Sequence, residues 1–318
     1  MSFSRDIKEE ILNFDTDDDT QCLAFLSGLM NCSAQIDIEN EVSIAITTEL
    51  VKLTQKVDEI VFKFYGIHIN TTFFPPHQIK KEGYYKISIE GDVARRLLLD
   101  TGCVKIENAN MVRFFDIDQY LIKEQSALKL FVRGAFVGCG TSSIKIDNNS
   151  RLSTGYHLEF ASKNYNFLSG LSHILAQFDV MAKLVKRKSL FILYVKDAEE
   201  VSNTLALMGA NNAVLSLQNE MAKRQIRNKV NRQTNCLSAN IEKTVSASIR
   251  QNDAIEKIVQ KIGLESLPTD LQNVALLRLA NPEESLEELT KLSTFKTSKS
   301  ALAYRLNKII KIAQKLEE

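Results

Sequence analysis

What the chain lacks excludes several protein classes. Five cysteines (Cys22, Cys32, Cys103, Cys139, Cys236) are an odd number with no CxxC pair, and four scattered histidines add no zinc spacing. A disulfide framework and a patterned zinc site are therefore excluded, and no metal or cofactor is expected. His68, His77, His157 and His173 have no serine or acid partner at a spacing that would mark nucleophilic catalysis. No run of about 20 apolar residues exists, so no membrane-spanning helix is read. The start, Met1-Ser-Phe-Ser-Arg-Asp-Ile-Lys-Glu-Glu10, has no apolar signal core, which predicts a cytoplasmic protein. Net charge is only +1 over 318 residues, so any nucleic-acid binding must come from local clustering. The acidic Asp15-Thr-Asp-Asp-Asp19 lacks EF-hand spacing and its glycine, and suits a helix N-terminus better than a calcium ion. Tryptophan is absent, and no proline occurs between Pro76 and Pro268.

What is present is a repeat. Hydrophobic residues make up 44% of the chain, enough to bury a sizeable core in two domains. Phe25-Leu-Ser-Gly-Leu-Met-Asn-Cys-Ser-Ala34 and Phe131-Val-Arg-Gly-Ala-Phe-Val-Gly-Cys-Gly140 are apolar stretches with small residues one helical turn apart. Ala24 with Gly28, and Gly134 with Gly138, would let two helices pack with their backbones close. Glycine costs about 1 kcal/mol against alanine inside a helix, so glycines on one face point to packing.

Matching elements follow each stretch. After the first come strand-like Gln35–Ile38 and Val42–Ile46, helical Val51–Tyr65, strand-like Ile67–Phe73 and Tyr84–Ile89, and helical Asp92–Leu99. After the second come Ser143–Asp147, His157–Phe160, helical Tyr165–Phe178, Ala182–Val185, Leu190–Val195 and helical Asp197–Leu207. The order predicts an α+β fold: a duplicated αββαββα domain with pseudo-twofold symmetry over residues 1–212, its repeats at about 19–102 and 120–209. A short helix over Ser4–Leu12, with Ser4 as N-cap, precedes it.

Composition shifts near residue 212. Residues 213–265 read as a basic helical connector, in which Lys223, Arg224, Arg227, Lys229 and Arg232 lie within ten residues that hold no acid. Interleaved Asn and Gln suit hydrogen bonding to phosphates or base edges, although a solvated linker helix has the same look. Leu237, Ile241, Val245 and Ile249 recur every four residues, which predicts one face to bury.

Residues 266–318 read as three helices. The first opens at Leu267-Pro-Thr-Asp270, and Asn281-Pro-Glu-Glu-Ser285 makes the turn. Ser285 and Glu288 suggest a capping box on a short second helix. The third begins at Ser298 and buries Leu302, Leu306, Ile309, Ile310 and Ala313. Its other face carries no acid, and the pattern matches a helix-turn-helix. Lys299, Ser300 and Ala303 would approach base edges, while Tyr304, Arg305 and Lys308 would reach bases or phosphates of double-stranded DNA.

These motifs carry a family resemblance. The paired glycine-bearing stretches resemble the LAGLIDADG helices of homing endonucleases. With Phe3–Glu10, Val230-Asn-Arg-Gln-Thr-Asn-Cys-Leu-Ser-Ala-Asn240 and Ser298–Arg305, the whole chain resembles the WhiA regulators of bacteria. The resemblance implies a degenerate endonuclease-like domain, a C-terminal helix-turn-helix, and a nucleoid-associated transcriptional role linked to cell division, chromosome segregation or sporulation. It also implies where catalytic carboxylates would stand, at the end of each motif helix. Those positions are Ser33 and Cys139, with Asn31 and Val137 at the earlier, less critical ones. Neither a serine hydroxyl nor a neutral thiol replaces a hard anionic ligand for Mg²⁺. The expectation is a domain without nuclease activity, serving as scaffold or as the surface for a protein partner.

The first hairpin, residues 34–50, carries Asp37, Glu39, Glu41 and Glu49 and no Lys or Arg, so it should repel phosphate. The tips Lys80-Lys-Glu-Gly83 and Lys186-Arg-Lys-Ser189 are basic and retain either weak DNA contact or plain solvated turns. A Mg²⁺-dependent endonuclease and a protein-binding scaffold with incidental DNA affinity stay open as alternatives.

Overall fold

The computed structural model describes residues 2–76, 82–144 and 155–316. It divides into two compact units, residues 1–223 and 224–318.

Helix α1 (Phe3–Ile11) opens the first unit and buries Ile7 and Ile11. Its cap is Ser2 rather than Ser4, because the Ser4 hydroxyl accepts instead from the backbone N–H of Ser142, 3.2 Å away. Helix α2 (Asp19–Ser33) follows, capped by Asp18, which accepts from Gln21 N–H at 3.2 Å. The acidic run thus serves the helix end, where negative charge is favourable. Then come β1 (Gln35–Asp37), β2 (Ser43–Thr48), α3 (Val51–Tyr65), β3 (Asn70–Phe74), β4 (Tyr84–Glu90) and α4 (Gly91–Asp100). Strand β3 starts three residues later than the alternation suggested. Gly66 ends α3 in the left-handed region, and the Asp58 carboxylate holds Ile69 N–H at 2.8 Å, keeping the intervening residues as a connection.

A hairpin that the sequence pattern did not reveal, β5 (Val104–Glu107) with β6 (Asn110–Arg113), separates the two repeats. Its two-residue turn, Asn108-Ala109, takes positive φ at both positions, and alanine gives no signal for that conformation. The second repeat runs α5 (Gln125–Cys139), β7 (Gly140–Ser142), β8 (Leu158–Ser162), α6 (Tyr165–Ala176), β9 (Lys183–Arg187), β10 (Leu190–Val195) and α7 (Ala198–Leu207). Strand β7 precedes the expected Ser143–Asp147. Gly140 leaves α5 already extended and pairs at once with Phe160, and the expected strand's last residues lie outside the described residues.

The two sheets have equivalent orders, β1-β2-β4-β3 and β7-β8-β10-β9, with antiparallel neighbours. Each repeat is therefore the same αββαββα unit. One hydrophobic core joins them, with α2 and α5 at its centre. A methyl group at Gly28 would overlap the Phe131 carbonyl oxygen and stand 2.9 Å from Ala135 N; one at Gly134 would overlap the Phe25 carbonyl and stand 2.9 Å from Leu29 N. The contact is reciprocal. Only residues without Cβ allow it.

Helix α8 (Asn211–Lys261) begins in the first unit, where the Glu10 carboxylate accepts from Asn212 N–H at 2.7 Å and Ala213 N–H at 3.1 Å. In the second unit its Ile255 and Ile258 join a core with α9 (Thr269–Ala280), α10 (Leu286–Leu292) and α11 (Lys299–Lys315). The expectation that Leu237, Ile241, Val245 and Ile249 bury a face is corrected. They are 63%, 63%, 50% and 55% exposed, because the bundle covers α8 only from Ser248 onward.

Candidate nucleic-acid interface

Helix α11 is built with one face for the core and one for solvent. Ser298 caps it, its hydroxyl accepting from Ala301 N–H at 3.2 Å. Leu302, Leu306, Ile309 and Ala313 are buried, and Ile310 lies half-buried at the edge. Ser300, Tyr304, Lys308 and Lys311 are exposed on the opposite side, Tyr304 by 71%. Asn307 shares that face; the sequence pattern passed over it, and only the helix phase relative to the core brings it forward. Lys299 lies near the edge of the buried stripe, exposed and 3.8 Å from Glu287, with half-buried Ala303 one turn on.

Arg305 is placed differently from its neighbours. Its guanidinium donates to Thr297 Oγ1 at 3.1 Å and stands 3.6 Å from the Asp270 carboxylate. It ties the link before α11 to the start of α9. Arg278, which drew no notice in the sequence, is 2% exposed and donates to the carbonyls of Asn281 (3.2 Å) and Glu284 (2.7 Å). Burial pulls its guanidinium below the usual range, with Glu284 partly opposing. Together with the bond from Ser248 Oγ to the Pro282 carbonyl, this sets the turn between α9 and α10. Ser285 caps α10 through Glu288 N–H at 3.2 Å, but the Glu288 carboxylate pairs with Lys291 at 2.8 Å, so only half of the expected capping box forms.

The basic residues of the connector stand on α8. Arg227, Lys229 and Arg232 are exposed and Arg224 is half-buried, while Lys223 is exposed at the end of the first unit. Of the two hairpin tips, Lys80 and Lys81 lie outside the described residues. In the other, Lys186 and Arg187 are exposed, Lys188 turns with positive φ, and Arg187 stands 3.9 Å from Glu159.

The ends of the motif helices carry no carboxylate. Ser33 donates its hydroxyl to the Leu29 carbonyl at 2.6 Å, and the Cys32 thiol points at the carbonyls of Gly28 (3.2 Å) and Leu29 (3.4 Å). Burial and the adjacent Cys139 push the Cys32 thiol well above its ordinary value. Buried Asn31 donates to the Ser27 carbonyl at 3.0 Å, and Val137 is buried. Beside them a cavity of about 510 Å³ is lined by Arg5, Lys8, Glu49, Glu82 and Gly138 among others. Burial there pushes the Lys8 amine below its usual value. Glu82 is held by Arg5 at 3.0 Å. Among the described residues no three His, Cys, Asp or Glu side chains cluster as a metal site would.

A duplicated LAGLIDADG-like domain followed by a three-helix unit with a solvent-facing third helix defines the class: a LAGLIDADG-like scaffold carrying a helix-turn-helix. The comparisons agree segment by segment. Residues 19–104 match the WhiA N-terminal LAGLIDADG-like domain, residues 128–227 the WhiA LAGLIDADG-like domain, and residues 230–313 the WhiA C-terminal HTH domain. The chain is 34% identical over 321 residues to the probable cell division protein WhiA of Clostridium acetobutylicum, covering 100% of this chain and 99% of that one. The corresponding protein of Clostridium beijerinckii is 33% identical over 318 residues, with 99% of each chain covered. Full-length DUF199/WhiA from Thermatoga maritima superposes with a TM-score of 0.59 at 25% identity, again covering 99% of each chain. The chain belongs to the WhiA family. No helix among the described residues is long and apolar enough to cross a membrane.

Proposed function

We propose that this protein is a DNA-binding transcriptional regulator that does not cut DNA and acts in the control of cell division. The observation that carries the reading is the division of α11 between a buried apolar stripe and an acid-free exposed face of Ser300, Tyr304, Asn307, Lys308 and Lys311. A helix supported along one side by α9 and α10 presents its other side to a major groove, where hydroxyl and amide groups read base edges and lysines meet phosphate. Lys299 and Ala303 flank this face. The structure favours Arg305 as the residue that positions α11 through Thr297 and Asp270. Arg224, Arg227, Lys229 and Arg232, with Lys223, add sequence-independent attraction to phosphate.

The absence of cleavage rests on side-chain chemistry. Ser33 and Cys139 stand where the family pattern needs acids, and Ser33 is already bonded to its own helix. The role in cell division is taken from what the clostridial relatives are named. The test is to incubate the full chain with intact genomic DNA and Mg²⁺ and sequence what is retained, beside a Lys299→Ala/Tyr304→Ala/Lys308→Ala form. Discrete uncut sites, lost in the triple variant, are expected. Fresh ends at discrete sites would overturn the non-cleaving reading. Retention unchanged by the triple variant would overturn α11 as the reader.

A further inference from the structure

The cavity of about 510 Å³ beside the motif-helix ends holds two charged groups that the protein leaves unpaired. Lys8 reaches it from α1. Among the described residues its half-buried amine has no hydrogen-bond acceptor and no ion-pair partner, and it stands 6.0 Å from the centre of the Phe136 ring. Such an ammonium is unfavourable, because nothing offsets its loss of hydration. Glu49, on the connection from β2 to α3, lines the same cavity and likewise has no hydrogen bond or ion pair among the described residues. The other charges there satisfy one another, with Arg5 3.0 Å from Glu9 and 3.0 Å from Glu82. One cation and one anion thus line a single cavity without meeting.

A second cavity, of about 340 Å³, shares Arg5, Glu49 and Glu82 with the first. Its remaining wall is Val51, Phe73, Pro76, Gly83 and Tyr85, with Phe73 52% and Val51 46% exposed. The Phe73 ring is held in place. Its centroid lies 5.0 Å from that of Tyr85, and a methyl group at Gly83 would stand 2.7 Å from its ring carbons. A fixed aromatic wall that solvent reaches offers apolar contact at little ordering cost.

The charges select the occupant. A plain anion would satisfy Lys8 but face the carboxylates of Glu49 and Glu82, with Arg5 already committed. A plain cation would satisfy Glu49 and leave Lys8 repelled. A molecule carrying both an ammonium and a carboxylate answers both groups, and an apolar arm on it answers the second cavity. We propose that the two joined cavities bind a free α-amino acid with a large apolar or aromatic side chain. Its carboxylate accepts from Lys8, its ammonium donates to Glu49, and its side chain lies against Phe73 and Tyr85. The two spaces are of the size that small-molecule sites have, about 300–1,000 Å³.

The experiment is calorimetric titration of the full chain with L-phenylalanine, L-leucine and L-tryptophan. L-phenylalanine methyl ester, N-acetyl-L-phenylalanine and glycine serve as probes that lack the carboxylate, the ammonium and the side chain in turn. No DNA is present, so the outcome is independent of the DNA-binding reading. At least one of the three amino acids should bind with Kd on the order of 100 μM, as suits a ligand of about a dozen heavy atoms. The three deficient probes should bind at least about tenfold more weakly, and so should that amino acid to Lys8→Gln, Glu49→Gln or Phe73→Ala. Glu49 and Phe73 are exposed, so their variants keep the fold, which circular dichroism checks. No heat from any of the three amino acids up to about 10 mM would overturn the proposal. Equal binding of the ester or the N-acetyl form would overturn the two-charge recognition on which it rests. Unchanged binding by both Glu49→Gln and Phe73→Ala would overturn it by placing the site elsewhere.

Discussion

Helices α2 and α5 and the middle of α8 each carry a face free of charge or nearly so, and they differ in whether another helix covers it. Along α2 and α5 the face is made of small residues, and Gly28 and Gly134 bring each backbone against the carbonyl of the other. Along α8 it is made of Ile, Val and Leu, and it stands in solvent. Small residues carry no apolar area of their own, so they are useful on a face only when a neighbour fills the space they leave. Large apolar residues at four-residue spacing look alike whether covered or not. Residue type therefore told more about occupancy than spacing did.

The comparison breaks first at its closed end. Gly134→Ala should cost about 4 kcal/mol, beyond the usual range for overpacking, because its methyl meets the Phe25 carbonyl rather than a movable side chain. Gly28→Ala should match it, and Ile241→Ala on α8 should change stability by less than about 0.5 kcal/mol at low micromolar concentration. Urea unfolding of the three variants reads this contrast, and a mild Gly134→Ala would mean that the helices separate freely.

Helix α11 sharpens the comparison as a helix with one face of each kind. Lys299→Ala/Tyr304→Ala/Lys308→Ala should leave the unfolding midpoint unchanged and weaken binding to a retained site ten- to a hundredfold, about 1.4–2.8 kcal/mol. Its salt dependence should flatten by about two phosphate contacts, one for each lysine removed. Fluorescence anisotropy at several salt concentrations measures both.

The cysteines extend the contrast to pH. Burial pushes the Cys103 thiol up to about 11, with Thr101 and Arg113 opposing. The protonated thiol is thus favoured in the folded state relative to the unfolded chain. Its contribution is complete below the unfolded value near 9.0 and is lost as pH rises toward about 11. Stability of the first unit should fall by about 2 kcal/mol over that window from this group, and Cys103→Ala should flatten the fall. Cys236→Ser, at an exposed position, should leave the curve where it is. Equal slopes for all three proteins would assign the alkaline loss to other groups.

The smallest effect concerns Arg305. Its partners Thr297 and Asp270 are partly in solvent, so Arg305→Ala should destabilise by about 1 kcal/mol. Thermal melts should show that loss alongside a DNA affinity reduced less than by the α11 triple variant. The reverse pattern would restore Arg305 as a direct reader.

Much of this architecture was legible because it rests on local chemistry. Residues 51–65 and 190–195 take the helix and strand that their periodicity implies. Ser298 caps α11 as a serine before an acid-free helix should, and the two glycine-bearing stretches form helices that end at Ser33 and Cys139. The β5–β6 hairpin was not legible, since Asn108-Ala109 carries no glycine to mark its positive φ. The partners of Arg305 were not legible for a related reason. A lone arginine in a basic helix looks like a phosphate contact until the fold brings Asp270, distant in sequence, within 3.6 Å.

The sequence by itself determined the repeat, the helix-turn-helix and the identity of the groups at the motif-helix ends. Those follow from periodicity, caps and residue type, which act over a turn or two of chain. Only the tertiary structure decided that Gly28 and Gly134 meet, that Arg278 and Arg305 are tied inward, that Asn307 faces out, and that the α8 row stays bare. Each depends on which surfaces come together across long stretches of chain, and burial is a property of that assembly rather than of any segment.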